Sequence, residues 1–398
     1  MFKGLFPLIL GAFAIGTETF MIVGVLPNIV ADLGVSPAAG GALVTAFSLA
    51  YALGSPVLAV LTAGLERKRL LAISMGGFAL ANALAALSPN FASLMAARVG
   101  LAVTAGTFMP AAVAFATATF GPLRRGRAVA LVYSGMTLAI VLGVPGGTMI
   151  TAAANWRAAF LAVALLAALV LMGVVALLPR LDGLGAVSLR ERIAVARRPD
   201  VLALLSLTAL ALCGAFAINT YVGLLLRERL GVDSTELAGV LMGLGLVSFA
   251  GNWLGGYGAD RLRRERLLAV ILAVLVAAFA LISIGAHQHG PPAAVAIGVG
   301  LFLWGLFGWA FPATQQARIV SLDPQLAPIT LSLNTSAIYV GAAAGSVLGG
   351  LAIMRWSVAA IGWVGSACEI GAFILLMATA ARSILPRPRT IVAPEPAE

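Results

Sequence analysis

Gly135-Met-Thr-Leu-Ala-Ile-Val-Leu-Gly143-Val-Pro145-Gly146-Gly147-Thr148 lies within a long apolar segment. In a water-soluble helix this run would be a weakness, because glycine loosens the backbone and proline removes a hydrogen-bond donor. Inside a bilayer the backbone has no water to turn to, so the helix persists and neighbouring helices support the break. The missing side chains then let another helix approach backbone to backbone. The stretch reads as the packed pivot of a moving membrane protein.

The surrounding composition agrees. Of 398 residues, 61% are hydrophobic and only 10% charged, with mean hydropathy +1.05, whereas charged residues make up about a quarter of an average soluble domain. A spanning helix needs about 20 apolar residues. Twelve such segments follow one another, over residues 5–31, 42–64, 70–88, 92–119, 128–152, 157–178, 200–226, 236–257, 266–286, 293–320, 328–354 and 357–381. The first continues to Ala31 without a small-residue cleavage pattern, so it is expected to stay as a spanning helix. Cys213 and Cys368 lie in separate apolar helices and offer neither a disulfide framework nor metal spacing.

The net charge of +10 reflects topology. With the N-terminus inside, cytoplasmic segments hold Lys3, Arg67, Lys68, Arg69, Arg124, Arg125, Arg127, Arg180, Arg190, Arg192, Arg197, Arg198, Arg261, Arg263, Arg264, Arg266, Arg318, Arg382, Arg387 and Arg389, which is 20 of the 25 basic residues. Arg157, Arg227, Arg229 and Arg355 fall in outer loops, and Arg98 lies within a helix. By the positive-inside rule both termini are expected in the cytoplasm, and no nucleic-acid partner is expected.

The second half repeats the first. Arg67-Lys-Arg-Leu-Leu71 is echoed by Arg264-Glu-Arg-Leu-Leu268, Gly106-x-x-x-Pro110 by Gly308-x-x-x-Pro312, and Gly146–Gly147 by Gly349–Gly350, at offsets of 197, 202 and 203. Six inside-to-inside helices, duplicated, give two parallel repeats about an axis normal to the membrane. The expected fold class is an all-α integral membrane protein of twelve transmembrane helices in two six-helix bundles related by a pseudo-twofold. The expected division is 1–178 and 200–381 for the bundles, 179–199 for a cytoplasmic linker, and 382–398 for a disordered tail. In the linker, Ser188-Leu-Arg-Glu191 fits a helix-capping box.

The whole chain resembles the major facilitator superfamily, in its twelve-helix drug:proton antiporter branch. Gly143-Val-Pro-Gly-Gly-Thr148 is similar to that branch's antiporter motif. Gly16-Thr-Glu-Thr-Phe20, Gly24-Val-Leu-Pro27, Asp32-Leu-Gly-Val-Ser36, Ser88-Pro-Asn-Phe91 and Asn334-Thr-Ser-Ala337 also match it. Within the branch the chain resembles purine-base, nucleoside and arabinose-efflux-like permeases. Two departures stand out. The loop Thr62-Ala-Gly-Leu-Glu-Arg67 lacks the family's acidic residue in register, while its second copy, Gly256-x-x-x-Asp260-Arg261, keeps it. The intrahelical acid is Glu18, whereas relatives carry it one position later, at Thr19 here; one residue is about 100° around a helix.

Glu18 is the first candidate for chemistry. A carboxylate in mid-membrane is costly unless it faces a cavity, finds a partner or takes up a proton, which suits a site that loads and releases a proton each cycle; the plainer alternative is a helix-packing hydrogen bond. Arg98 is expected to exchange between Glu18 and solvent, against the alternative of an outward-snorkelling arginine. Glu369 reads equally as a structural bond, a dimer contact or a coupling group. Asp260 and Arg261 are expected to latch the cytoplasmic gate when the carrier faces outward, through helix-end amides and charge-assisted bonds.

The resemblance implies a cavity lined by helices 1, 2, 4, 5, 7, 8, 10 and 11. Polar and aromatic residues there are Tyr51, Tyr133, Asn219, Tyr221, Asn252, Trp304, Trp309, Gln315, Gln316, Asn334 and Tyr339. Substrate contacts are assigned to Asn334, Gln315, Trp309, Asn219, Tyr51 and Tyr339, because amides both donate and accept and aromatic faces stack on planar solutes. Interhelical hydrogen bonds and plain packing are the competing readings. Gly135, Gly143, Pro145, Gly146 and Gly147 are expected to pack their helix against the opposite bundle, as are the glycines of the eleventh.

His287-x-His289 supplies too few ligands for a metal, and no phosphate-binding loop appears. No cofactor is expected, nor enzyme activity. The resulting expectation is a monomeric proton-coupled efflux transporter of a bacterial inner membrane. It exchanges a small organic solute (drug, purine, nucleoside or sugar) for protons and touches otherwise only membrane lipid. A proton-independent facilitator or an uptake permease of the same fold is the alternative.

Overall fold

The computed structural model describes residues 5–120, 125–183, 188–323 and 325–384. Among the described residues twelve helices are long and apolar enough to cross a membrane. In chain order they are α1 (Phe6–Leu33), α2 (Pro37–Leu61), α3 (Arg67–Ala86), α4 (Phe91–Phe120), α5 (Gly126–Ala153), α6 (Trp156–Leu177), α7 (Pro199–Leu230), α8 (Ser234–Arg261), α9 (Arg264–Ala286), α10 (Pro291–Leu322), α11 (Ala327–Arg355) and α12 (Val358–Ala380). Each expected span is recovered within a few residues. Twelve crossings return the chain to the side on which it began, here the terminal side; the opposite side is the far side. Lys3, Arg124, Arg387, Arg389 and most of the expected disordered tail lie outside the described residues.

The repeat is visible in the packing. α1 lies against α5 and α6, α2 against α4, and α3 against α4 and α6. In the second half α7 lies against α11 and α12, α8 against α10, and α9 against α10 and α12. The paired sequence echoes occupy equivalent places: Arg67 and Arg264 each open a helix, and Pro110 and Pro312 each lie inside one. α3, α6, α9 and α12 make their principal contacts within their own bundle and leave large apolar side chains such as Leu165 and Met172 exposed for lipid.

The glycines correct the expected pivot. A Cβ at Gly135 would overlap Ile9 O and crowd Phe13 N, one at Gly143 would overlap the Thr17 hydroxyl, and one at Gly147 would crowd Met21. All three contacts are with α1, in the same bundle. Gly341, Gly345 and Gly349 likewise meet Ala209, Cys213 and Ala217 of α7. These small residues therefore close each bundle internally. Gly146 has nothing within 4 Å of its Cβ position. Contact between bundles runs instead through α2 on α11 and through α5 on α8, where Gly245 of α8 accepts the backbone of Ile140 and Val141. Gly350 alone of the named α11 glycines also faces the other bundle, at Ala38 of α2.

α5 is not regular. Residues Ala139–Gly143 form a π-helical turn before Pro145, a wide turn of the kind that often marks functional positions. α7 also breaks, between Asn219 and Val222. On the far side Gly34 caps α1 at φ 62°, a conformation that suits glycine. Nearby, Asp32 accepts from Trp156 Nε1 (3.0 Å) and Arg157 Nη1 (2.6 Å), while Arg157 Nη2 donates to Ser88 O (3.2 Å). The linker helix, Leu189–Ala196, starts with the expected capping box, and Arg192 donates to Ser332 of α11 at 2.8 Å.

Because Gly135 lies against α1 backbone while Gly146 lies against nothing, the two should respond differently to added bulk. Gly135→Leu is expected to cost ~1–3 kcal/mol, the usual range for overpacking, and to lower the detergent-solubilised melting temperature. Gly146→Ala should leave it unchanged.

Candidate functional site

α1 carries the site on two faces. Gly143 leaves room for Thr17, and this close approach of α5 turns the next residue, Glu18, away from α5 and onto α4. There Glu18 Oε1 accepts from Arg98 Nη1, with both side chains fully buried. The one-position displacement of the acid therefore still places it inside the bundle. Thr19, where relatives place the acid, bonds back to Ile15 O at 2.8 Å.

The pair is only half used. Glu18 Oε2 and Arg98 Nη2 have no hydrogen-bond partner among the described residues. Arg98 Nε reaches Leu43 O of α2 at 3.4 Å, and its guanidinium stacks 4.5 Å from the centroid of the Phe47 ring. Phe47 in turn touches Tyr51 of α2 and Tyr339 of α11, at centroid separations of 6.2 and 6.3 Å. Tyr51 and Tyr339 stack at 3.9 Å across the seam between bundles. A continuous path of contacts thus runs from the carboxylate to the opposite bundle. Phe47 carried no polar or spacing signal that would have marked it in the sequence.

The other face of α1 borders a pocket. Phe20 and Val23 line it with Ile140 and Val144 of α5, Asn219 of α7, Leu241, Leu244, Gly245 and Ser248 of α8, and Trp304, Gly305 and Trp309 of α10. Phe20 meets the Trp309 ring edge-on at 5.8 Å. Ser248 spends its hydroxyl on Leu244 O. The Asn219 amide makes no hydrogen bond among the described residues and borders the pocket as an available donor and acceptor, beside the indole N–H donors of Trp304 and Trp309.

The remaining assigned residues are placed elsewhere. Gln315 is fully buried and donates to Leu204 O (3.1 Å) and Thr208 Oγ1 (3.2 Å), while the Thr208 hydroxyl donates to Asn334 Oδ1 (2.7 Å). Both amides are therefore engaged between α7, α10 and α11, and neither lines the pocket. Asp260 is exposed and makes no hydrogen bond or ion pair among the described residues; Arg261 stacks on Tyr257 of its own helix at 4.1 Å. The contacts expected of a latch are not made among the described residues. Glu369, for which a structural bond, a dimer contact and a coupling role are equal readings of the sequence, is fully buried against Gly214 of α7 and makes no hydrogen bond among the described residues.

The far end is closed. Ser346 donates to Gly41 O and Tyr221 donates to Ser346 O, both at 2.8 Å, which ties α2, α11 and the break in α7 together. Val23 O packs on Gly223 and Ala38 on Gly350. The main contact of α8 with α5 runs from the π-helical turn toward the far side. Below this, Leu53 and Leu61 of α2 and Trp253 and Tyr257 of α8 are exposed.

Two repeated six-helix bundles, with a pocket between them and their far ends joined, have the architecture of a membrane carrier. The sequence model of the Major Facilitator Superfamily matches residues 8–346, and the chain belongs to that superfamily of transporters. The uncharacterized MFS-type transporter YbcL of Bacillus subtilis (strain 168) is 32% identical over 368 residues, covering 92% of each chain. A chloramphenicol resistance protein of Streptomyces lividans is 31% identical over 339 residues, 84% of this chain and 85% of its own. A crystal structure of a D-xylose-proton symporter shares the fold, with TM-score 0.76 at 15% identity over 94% of this chain and 97% of that one. These are transporters, not enzymes.

The closed far end makes a geometric prediction. In a variant lacking the native cysteines, Ala38→Cys with Gly350→Cys should form an intramolecular disulfide under mild oxidation, read as a mobility shift reversed by reductant. Substrate that favours the opposite orientation should slow the reaction.

Proposed function

We propose that this protein is a proton-coupled efflux transporter of a bacterial inner membrane, exporting a small, neutral, aromatic-bearing solute in exchange for protons. The observation that carries this reading is the buried Glu18–Arg98 pair on the reverse face of the helix that lines the pocket. Burying two charges is tolerated only while each compensates the other, and removing one partner of such a pair typically costs ~3–5 kcal/mol. Protonating Glu18 does this to Arg98, which then turns to its remaining partners, Leu43 O and the Phe47 face. Phe47 contacts Tyr339, so the protonation state bears on the seam between bundles.

By the positive-inside rule the terminal side is cytoplasmic, so the structure corresponds to the inward-facing carrier. Residues 1–178 and 200–381 are the units that rock, closing on the terminal side when Asp260 and Arg261 engage. Phe20, Trp304 and Trp309 offer ring faces and Asn219 a donor–acceptor pair, a combination that suits a planar or ring-bearing solute. The Streptomyces relative's name makes chloramphenicol the first probe, beside purines, nucleosides, arabinose and ethidium. A role in drug resistance follows if chloramphenicol or ethidium is exported.

In proteoliposomes with an imposed pH gradient, uphill movement of one of these solutes is expected. Glu18→Gln should abolish the uphill component while retaining solute exchange without a gradient. Transport indifferent to the gradient would instead identify a facilitator. Asn219→Ala should raise KM roughly fivefold, the worth of one net hydrogen bond of ~1 kcal/mol, and leave coupling intact.

A further inference from the structure

The chain's two cysteines stand 155 positions apart, and their spacing suggested no link. In the fold the Cys368 thiol donates to Cys213 Sγ at 3.6 Å, and both are free thiols. Their meeting follows from close approach of α7 and α12: a Cβ on Gly214 would crowd Gly365 O and the Cys368 Cβ, and one on Gly365 would crowd Gly214 O.

The location decides what can reach the pair. Cys213 is 14 residues into α7 and Cys368 is 10 into α12, about 21 and 15 Å from opposite membrane faces at 1.5 Å per residue. Both thiols therefore lie near mid-membrane. Cys213 is buried, but Cys368 is half-buried on a flank of α12, in line with the half-buried Val364, Gly371 and Leu375. Neither cysteine borders the central pocket. Access is from hydrocarbon.

A second observation marks the place as more than packing. Glu369, the next residue, is fully buried, and neither carboxylate oxygen has a hydrogen-bond partner among the described residues. Its Oε1 is aimed at Gly214, adjacent to Cys213. An unpartnered carboxyl is costly in this medium, so packing alone does not account for the group beside the thiol pair.

We infer that Cys213 and Cys368 form a reversible two-electron redox site, oxidised from the lipid phase by a fully ring-substituted quinone. Two S–H bonds break and one S–S bond forms; the two electrons and two protons pass to the quinone, giving the hydroquinone. Closing the 3.6 Å separation to the ~2.05 Å of an S–S bond brings the sulfurs together by about 1.5 Å. The product ties α7, ahead of its break at Thr220–Tyr221, to the peripheral α12. The inference is independent of the transported solute and of proton coupling.

The test uses the full chain in liposomes, treated with duroquinone, then denatured and alkylated with N-ethylmaleimide for intact mass. The untreated protein should take two maleimides. The oxidised protein should take none, remain a monomer, and take two again after dithiothreitol, with one hydroquinone formed per chain. In Cys213→Ser the remaining thiol should keep its single maleimide after quinone, with gel-filtration elution reporting that the variant is folded. Water-soluble ferricyanide should leave both thiols of the wild type free. Retention of two maleimides after duroquinone, formation of intermolecular dimers, or equal oxidation by ferricyanide would each overturn the inference.

Discussion

The backbone contact between α1 and α5 is what the rest of the site depends on. A bilayer interior supplies no hydrophobic force between helices, so close approach relies on small residues and on groups that satisfy one another. Gly135, Gly143 and Gly147 provide this on α5. With Thr17 seated on Gly143, the residues on either side of it are committed: Glu18 to Arg98 on α4, and Phe20, some 200° further around the helix, to the pocket. One helix thus holds a titratable group and a pocket wall back to back. The two are separated by the thickness of one helix.

The same packing is repeated by α7 and α11, and here the copies diverge in use. The first bundle buries a charge pair, whereas the second buries the neutral network of Gln315, Thr208 and Asn334. The position of Glu18 and Arg98 in one bundle only makes the carrier asymmetric in chemistry although symmetric in architecture. Stacked tyrosines 51 and 339, one from each bundle, bring the half that holds the Glu18–Arg98 pair into contact with the half that holds the amide network.

Much of this was legible in the sequence. Twelve apolar segments, the basic clusters between them and the offset echoes around residues 67, 106 and 146 specified the helices, the duplication and the capped linker, because hydropathy and capping chemistry are local. The facing of each helix was not. A helix buried among lipid and other helices is apolar all round, so periodicity does not say which stripe meets protein. For that reason the α5 glycines were assigned to the wrong partner, and the direction of Gln315 and Asn334 was open between the cavity and the helix interface. Phe47 and the meeting of Cys213 with Cys368 depend on long-range packing that no spacing encodes. Glu18 and Arg98 were found because a charge in a membrane helix is conspicuous in any register.

The most direct test of the central claim counts protons on substrate binding. Purified protein in weakly buffered detergent solution would be titrated with its transported solute while the pH is followed. If Glu18 is the group that exchanges its proton for substrate, the wild type releases protons on binding and Glu18→Gln releases none while still binding. Equal release from the two proteins would contradict the account and move the proton site elsewhere in the chain.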